Sequence, residues 1–214
     1  MTFRRVFCPL LLGAILMRST HGDEMADSTQ SLERVLVVPI GEINEKVLKQ
    51  IAGALAQELN VHTSVSTRTL NIPAEIYNER RQQYLSTPLL SLLHTRYAND
   101  ADYVLGVIDR DLYVPSLNFV FGEADLSARV ALISLTRLRQ EFYGLRPNPE
   151  LFQKRALTEA VHEIGHTYGL RHCSDAHCVM FFSNSLVDTD RKGHKFCTRC
   201  RAQLERLRKP SARQ

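Results

Sequence analysis

The sequence predicts an α/β domain built on a largely parallel sheet. Two patterns carry that expectation: apolar, β-branched runs alternate with amphipathic helical stretches through the first half of the chain, and a further helical stretch arrives only after the strands. A chain of 214 residues that is 44% hydrophobic can bury one core of ordinary domain size, and it holds no internal repeat or low-complexity block. Residues 34–40 (RVLVVPI) read as a buried strand. Over residues 44–59, Val47, Leu48, Ile51, Ala52, Leu55 and Leu59 recur at helical spacing, and Asn60 is available as the stop. Residues 61–67 alternate as a strand does, whereas 68–86 are polar and mixed and read as an irregular connection or a frayed helix. Thr87 and Pro88 read as an N-cap and first-turn proline leading a second helix over 89–97. Residues 103–109 (YVLGVID) are a third strand, and 119–121 and 129–135 are two further candidates. Residues 151–161, with Phe152, Ala156, Leu157, Ala160 and Val161 on one stripe, form the last helix.

That helix leads into the string His162-Glu-Ile-Gly-His166-Thr-Tyr-Gly169-Leu-Arg-His172-Cys173. Histidines four apart project from one helix face, so the imidazoles of His162 and His166 can converge on one zinc ion. Glu163, one position round, can reach a water at that metal without becoming a ligand, which places it as general base. A catalytic zinc wants three protein ligands and one open position, and a straight helix cannot easily supply the third. Gly169 tolerates the left-handed conformation that ends a helix, which lets His172 swing back toward the metal. A bare HExxH arises by chance in unrelated helices, where the histidines merely satisfy a core or a surface. Here an amphipathic helix precedes it, a glycine stands where a stop is needed, and a third histidine follows in the HExxHxxGxxH spacing of the metzincins.

Of five cysteines, Cys8 lies far away, while Cys173, Cys178, Cys197 and Cys200 crowd the last quarter as Cx4C and CxxC. Two close pairs fit tetrahedral thiolate coordination of a structural zinc. The other reading is two disulfides. A CxxC disulfide is usually redox-active, and a pair closing four intervening residues constrains little of the unfolded chain, so zinc is the preferred expectation. Because Cys173 follows His172 directly, folding of the second site would hold the third ligand of the first.

These residues carry a family resemblance. HExxHxxGxxHC at 162–173, Cys178-Val-Met180, Cys197-Thr-Arg-Cys200 and the upstream stretch LNFVFGEA at 117–124 together resemble the archaemetzincins, over about residues 34–200. The resemblance implies a metzincin-like fold: a twisted mixed sheet whose antiparallel edge strand, the earlier of the two late candidates, forms the upper rim of the cleft, an active-site helix and a small C-terminal zinc-stabilised subdomain. It also implies two zinc ions per chain, a catalytic one on His162, His166 and His172 with Glu163 as base, and a structural one on the four cysteines. Met180 would be the Met-turn residue beneath the catalytic metal; on residue type alone it reads as core packing. The activity implied is hydrolysis of peptide bonds, with short peptides bearing a free amino terminus as the substrate class suggested by analogy.

The expected organisation is an N-terminal extension or signal peptide over 1–32, a metalloprotease domain over 33–200 and a basic tail over 201–214. Arg4 and Arg5 followed by an apolar run resemble a secretory signal too short to span a bilayer. Pro9 and Cys8 interrupt that run, Met25 offers a later start, and a reduced four-thiolate site is easier to keep in the cytoplasm, toward which the balance tips. The net charge of +4 hides an asymmetry: from Arg191 onward nine Lys or Arg face one acid, Glu205. Such a stretch beside a four-cysteine site can bind nucleic acid, but Phe196 is its only ring, so a solvated helix face is the expectation and no nucleic-acid partner is. Two other functions compete with the peptidase: a zinc-stabilised binding or regulatory protein with weak turnover, against which Glu163 argues, and a nucleic-acid-binding zinc protein. The peptidase is expected to act as a monomer on a peptide substrate.

Overall fold

The computed structural model describes residues 32–208. The expectations for 1–31, including the leader, Cys8 and Met25, and for the end of the tail lie outside them. Strand β1 (Arg34–Ile40) coincides with the first apolar run and is buried on both faces beyond Arg34. Helix α1 (Glu45–Leu59) starts where the Asn44 side chain accepts from Lys46 N–H and stops at Asn60, which takes the left-handed conformation. Strands β2 (His62–Val65) and β5 (Tyr103–Ile108) follow the alternating and apolar runs.

Residues 68–86, expected as an irregular connection or frayed helix, instead hold β3 (Tyr77–Asn78) and β4 (Gln83–Leu85), an antiparallel pair turned at Gln82, which adopts φ 56°. With β6 (Leu112–Tyr113) they form a second, three-stranded sheet in the order β3-β4-β6. Strands of two or three residues are too short to show a period. Helix α2 (Thr87–Tyr97) has Ser86, not Thr87, at its cap position, and Ser86 makes no cap bond because its hydroxyl is committed to the Tyr113 carbonyl and the Glu123 carboxylate.

The main sheet runs β2-β1-β5-β8-β7, all parallel except β7 (Gly122–Asp125), which is antiparallel to β8 (Val130–Ser134). The antiparallel edge strand thus exists but begins one residue after the expected 119–121. There Val120 N–H is taken by the Leu112 carbonyl of the small sheet, and only at Phe121, whose carbonyl accepts from Ser134 N–H, does the chain join β8.

Helices α1 and α3 (Pro149–Thr167) cover one face of the sheet and α2 the other. Val35, Val37, Leu105 and Val107 pack toward Leu48, Ile51, Leu55, Ala160 and Ile164, whereas Leu36, Val38, Val104 and Ile108 pack toward Leu89, Leu90 and Leu93. Alternate residues of each central strand therefore feed opposite cores. Two short helices close the fold, α4 (Leu186–Lys192) and α5 (Thr198–Arg208). Helix α5 runs straight through the 200/201 boundary drawn from composition and buries both Cys200 and Leu204. Its arginines are not simply solvated: Arg201 bonds the Glu58 carboxylate (3.4 Å) and Arg208 the Glu33 carboxylate (2.7 Å), tying α5 to α1 and to the residue before β1. Among the described residues no helix is long and apolar enough to cross a membrane.

Candidate functional site

Helix α3 is capped by the Asn148 side chain, which accepts from Leu151 N–H, and its last two turns pack against β7 and β8 with almost every residue from Ala156 to Gly165 buried. Those turns carry His162, Glu163 and His166. The helix ends at Thr167, Gly169 adopts φ +93°, and the chain reverses so that His172 returns to the other two rings. The positive φ is the reason this position needs glycine. The Nε2 atoms of His162 and His166 are 3.1 Å apart, and one nitrogen from each of the three histidines falls within 4.8 Å of the others. His162 Nδ1 contacts the Val179 carbonyl (2.6 Å) and His166 Nδ1 the Leu170 carbonyl (2.8 Å). With Nδ1–H donated to a carbonyl, each Nε2 is left with its lone pair turned to the shared point, the form a metal ligand requires.

Burial pushes His162 well below the usual imidazole range and His166 down to about 4, and it lowers His172, so the cluster rests as neutral imidazoles. Burial also pushes the Glu163 carboxyl well above the usual carboxylate range; the neighbouring charges of Glu159 and Glu123 push the same way, and that of Lys192 opposes them. Glu159, one turn earlier on α3, pairs with the fully buried Lys192 (3.2 Å) and accepts from the Thr189 hydroxyl (3.0 Å), while Lys192 also donates to the Phe181 carbonyl (3.2 Å). This buried ion pair ties α4 to the helix beneath the histidines.

The cluster opens on a cleft of about 360 Å³, walled by residues 117–122 on one side and by 182–184 on the other. The Phe119 and Phe121 rings, which contact each other at 5.1 Å, line the first wall, so they serve the cleft and the core at once. Arg81 holds that wall from behind, donating to the carbonyls of Leu117 (2.8 Å) and Asn118 (2.9 Å).

The four cysteines form a second cluster. They are free thiols whose sulfurs all lie within 4.8 Å of one another, converging as one group where two separate disulfides would pair them off. Backbone N–H groups of Asp175, Cys197 and Cys200 point at sulfur, and Arg199 donates to Cys173 Sγ (3.2 Å). Burial opposes ionisation of Cys173, but the bonds from Asp175 N–H and Arg199 outweigh it and bring the thiol down to about 7; burial pushes Cys178 and Cys200 up. Four convergent sulfurs met by N–H donors suit a tetrahedral thiolate site, and three imidazoles facing a cleft suit a site with an open position.

The clusters share backbone. Cys173 N–H donates to the Met180 carbonyl (2.8 Å), and Val179, whose carbonyl holds His162, donates its own N–H to Lys195. Met180 is fully buried with its sulfur against Gly165, where an added Cβ would stand 2.6 Å from it, directly under the helix turn that carries the histidines. All the site residues expected from sequence are thus brought into two groups. Sequence reading missed Gly122, whose bare Cα faces Glu163, together with Glu159, Lys192 and Arg199. Gly122 stood within the quoted 117–124 stretch, but only the approach of α3 shows why it is there.

The peptidase family M54 model matches residues 34–206. The archaemetzincin of Methanocaldococcus jannaschii is 44% identical over 172 residues, 80% of this chain and 93% of that protein, and that of Pyrococcus abyssi is 40% identical over 177 residues, 80% and 94%. Among solved structures, the archaemetzincin of Methanopyrus kandleri superposes with a TM-score of 0.74 at 37% identity, covering 84% of this chain and 97% of that one. A zinc-dependent peptidase from Methanocorpusculum labreanum superposes with a TM-score of 0.72 at 28% identity, covering 79% and 99%. The chain belongs to peptidase family M54, the archaemetzincin family of zinc metallopeptidases.

Proposed function

We propose that the chain hydrolyses short peptides, with one zinc held by His162, His166 and His172, a second held by Cys173, Cys178, Cys197 and Cys200, and Glu163 as the general base. The observation that carries this reading is the meeting of three imidazoles with a buried carboxylate at the floor of a cleft. Zinc held in the histidine cluster would supply Lewis acidity, polarising a carbonyl and lowering a water's pKa to ~7.

The protein's own groups do the rest. Burial raises the affinity of Glu163 for a proton, which suits a group that takes one from the attacking water and passes it to the leaving amine. Strand β7 ends the sheet, so its outer edge is free among the described residues to take an extended peptide as a further strand, with main-chain hydrogen bonds giving affinity and little sequence preference. A cleft of about 360 Å³ accommodates few side chains, which favours short substrates. The sulfur cluster, whose residues do not line the cleft, acts through the fold, keeping the 173–180 turn in place beneath His162 and beside His172.

Glu163→Gln tests the base. The variant should keep the zinc content of the parent protein by elemental analysis while hydrolysis of a peptide panel falls by at least about 10²-fold. Wild-type turnover by this variant would remove Glu163 from the mechanism.

A further inference from the structure

We propose that Gly122, on the edge strand, is a positioning residue for Glu163: its bare Cα is the seat against which the carboxylate side chain is held. A Cβ added at Gly122 would stand 2.5 Å from Glu163 Cγ and 2.7 Å from Glu163 Oε1, closer than carbon or oxygen approaches a real Cβ. The same atom would lie 2.7 Å from the Leu132 carbonyl oxygen of β8, so it is pinched from the sheet side as well as from the helix side. Backbone conformation does not demand a glycine here, because Gly122 is absent from the glycines with positive φ. Space alone does.

The strand cannot retreat to make room. Gly122 pairs with Ile133 and its neighbour Glu123 with Leu132 in the antiparallel ladder, and Phe121 is fastened to Ser134. On the far side, the Glu123 carboxylate is clasped by the hydroxyls of Ser86 and Thr87 (2.9 Å for Thr87) at the start of α2, so a charged side chain locks the strand to a second element. Nor can Glu163 turn away freely. It lies on a buried helix turn between two zinc-ligand candidates, with Glu159 one turn below it. The strand wall and the helix therefore define one slot for the side chain. A general base works only when it is held close to the productive geometry, and a displacement of about 1 Å can cost on the order of 10²-fold in rate.

This inference rests on Glu163 being the base, and Gly122→Ala alongside Glu163→Gln separates the two. On protein loaded with zinc, we expect Gly122→Ala to lower kcat by roughly 10–100-fold, with KM for the same peptide within about twofold of the parent and zinc content unchanged, because the methyl displaces the base and leaves the ligands alone. An inactive Glu163→Gln beside a Gly122→Ala protein of parental kcat would overturn the positioning role and leave the base intact. A fully active Glu163→Gln would remove the foundation of both. A thermal-stability cycle covers the case in which Gly122→Ala folds poorly. Cutting Glu163 back to Ala removes the Cγ and Oε1 that meet the new methyl, so the fall in Tm caused by Gly122→Ala should be clearly smaller in Glu163→Ala protein than in the parent. An equal fall in both backgrounds would show that the methyl strains the strand alone, and the proposal would be lost.

Discussion

The histidine and cysteine clusters meet at adjacent residues, His172 and Cys173, yet they are built in opposite ways. In the histidine cluster two of the rings rest their outer nitrogens on backbone carbonyls, the third ring is exposed, and a carboxylate stands beside the shared point at the floor of a cleft. In the cysteine cluster three of the four side chains are buried, and backbone N–H groups and the Arg199 guanidinium point at sulfur. Carbonyl acceptors raise the electron density of a neutral ligand, whereas N–H donors stabilise an anionic one. One ion can thus have two roles, set by whether the polypeptide leaves a coordination position and a proton acceptor on the open side.

The strongest way to break the comparison is to remove one ligand from the open cluster. His166→Ala should reduce zinc from two equivalents to one, and hydrolysis should fall by at least about 10³-fold, since the lost Lewis acid contributes several kcal/mol to the transition state. Elemental analysis and a peptide assay on the same preparation decide it. Two equivalents retained in His166→Ala would mean that the histidines are not a separate site.

Replacing Cys197 and Cys200 by Ser should act on the fold first. It removes two of the four converging sulfurs, one of them on α5, and places a hydroxyl where Cys200 is buried in the same core as Leu204 and Val179. Structural zinc contributes directly to folding free energy, so a loss of several kcal/mol is expected, which for a chain of this size lowers Tm by roughly 10 °C or more. Activity should decline as a consequence, because Cys173 N–H and the Met180 carbonyl no longer fix the turn that carries Val179 to His162. Calorimetry with metal analysis checks it. An unchanged Tm and zinc content would show that the closed cluster supports nothing.

The same contrast explains what was legible in the sequence. The histidine string and the cysteine spacings could be read because metal ligation ties residue type to short spacing, and β1 and α1 because a buried run and a 3.6-residue stripe repeat over seven or more residues. Glu159 and Lys192 meet across two helices, and no local pattern links them. The arginines of α5 read as a solvated run because their acceptors, Glu58 and Glu33, lie far upstream in the chain. Gly122 was hidden for a third reason: its requirement arises from how closely a helix approaches a strand, a tertiary distance. The β3-β4 hairpin escaped because its strands are shorter than any period.

The smallest expected effect concerns Arg199, and it sharpens the comparison most. Four thiolates around a divalent cation leave net negative charge, and Arg199 places a guanidinium nitrogen 3.2 Å from Cys173 Sγ and 3.5 Å from Ser174 Oγ. The histidine cluster, neutral before it binds a cation, calls for no such counter-charge; Lys192, the cation whose charge acts on all three rings, is already paired with Glu159. Arg199→Ala should therefore weaken zinc binding at the cysteine cluster by roughly tenfold, the lower end of what partners of metal ligands usually contribute, while kcat at saturating zinc stays at the parental value. Arg199→Lys, which keeps the charge but loses the planar fork, should fall between them. Competition with a chromophoric chelator reads the affinity. If Arg199→Ala holds zinc as tightly as the parent, the N–H donors of Asp175, Cys197 and Cys200 are sufficient on their own to carry the thiolate charge, and the contrast between the clusters rests on backbone alone.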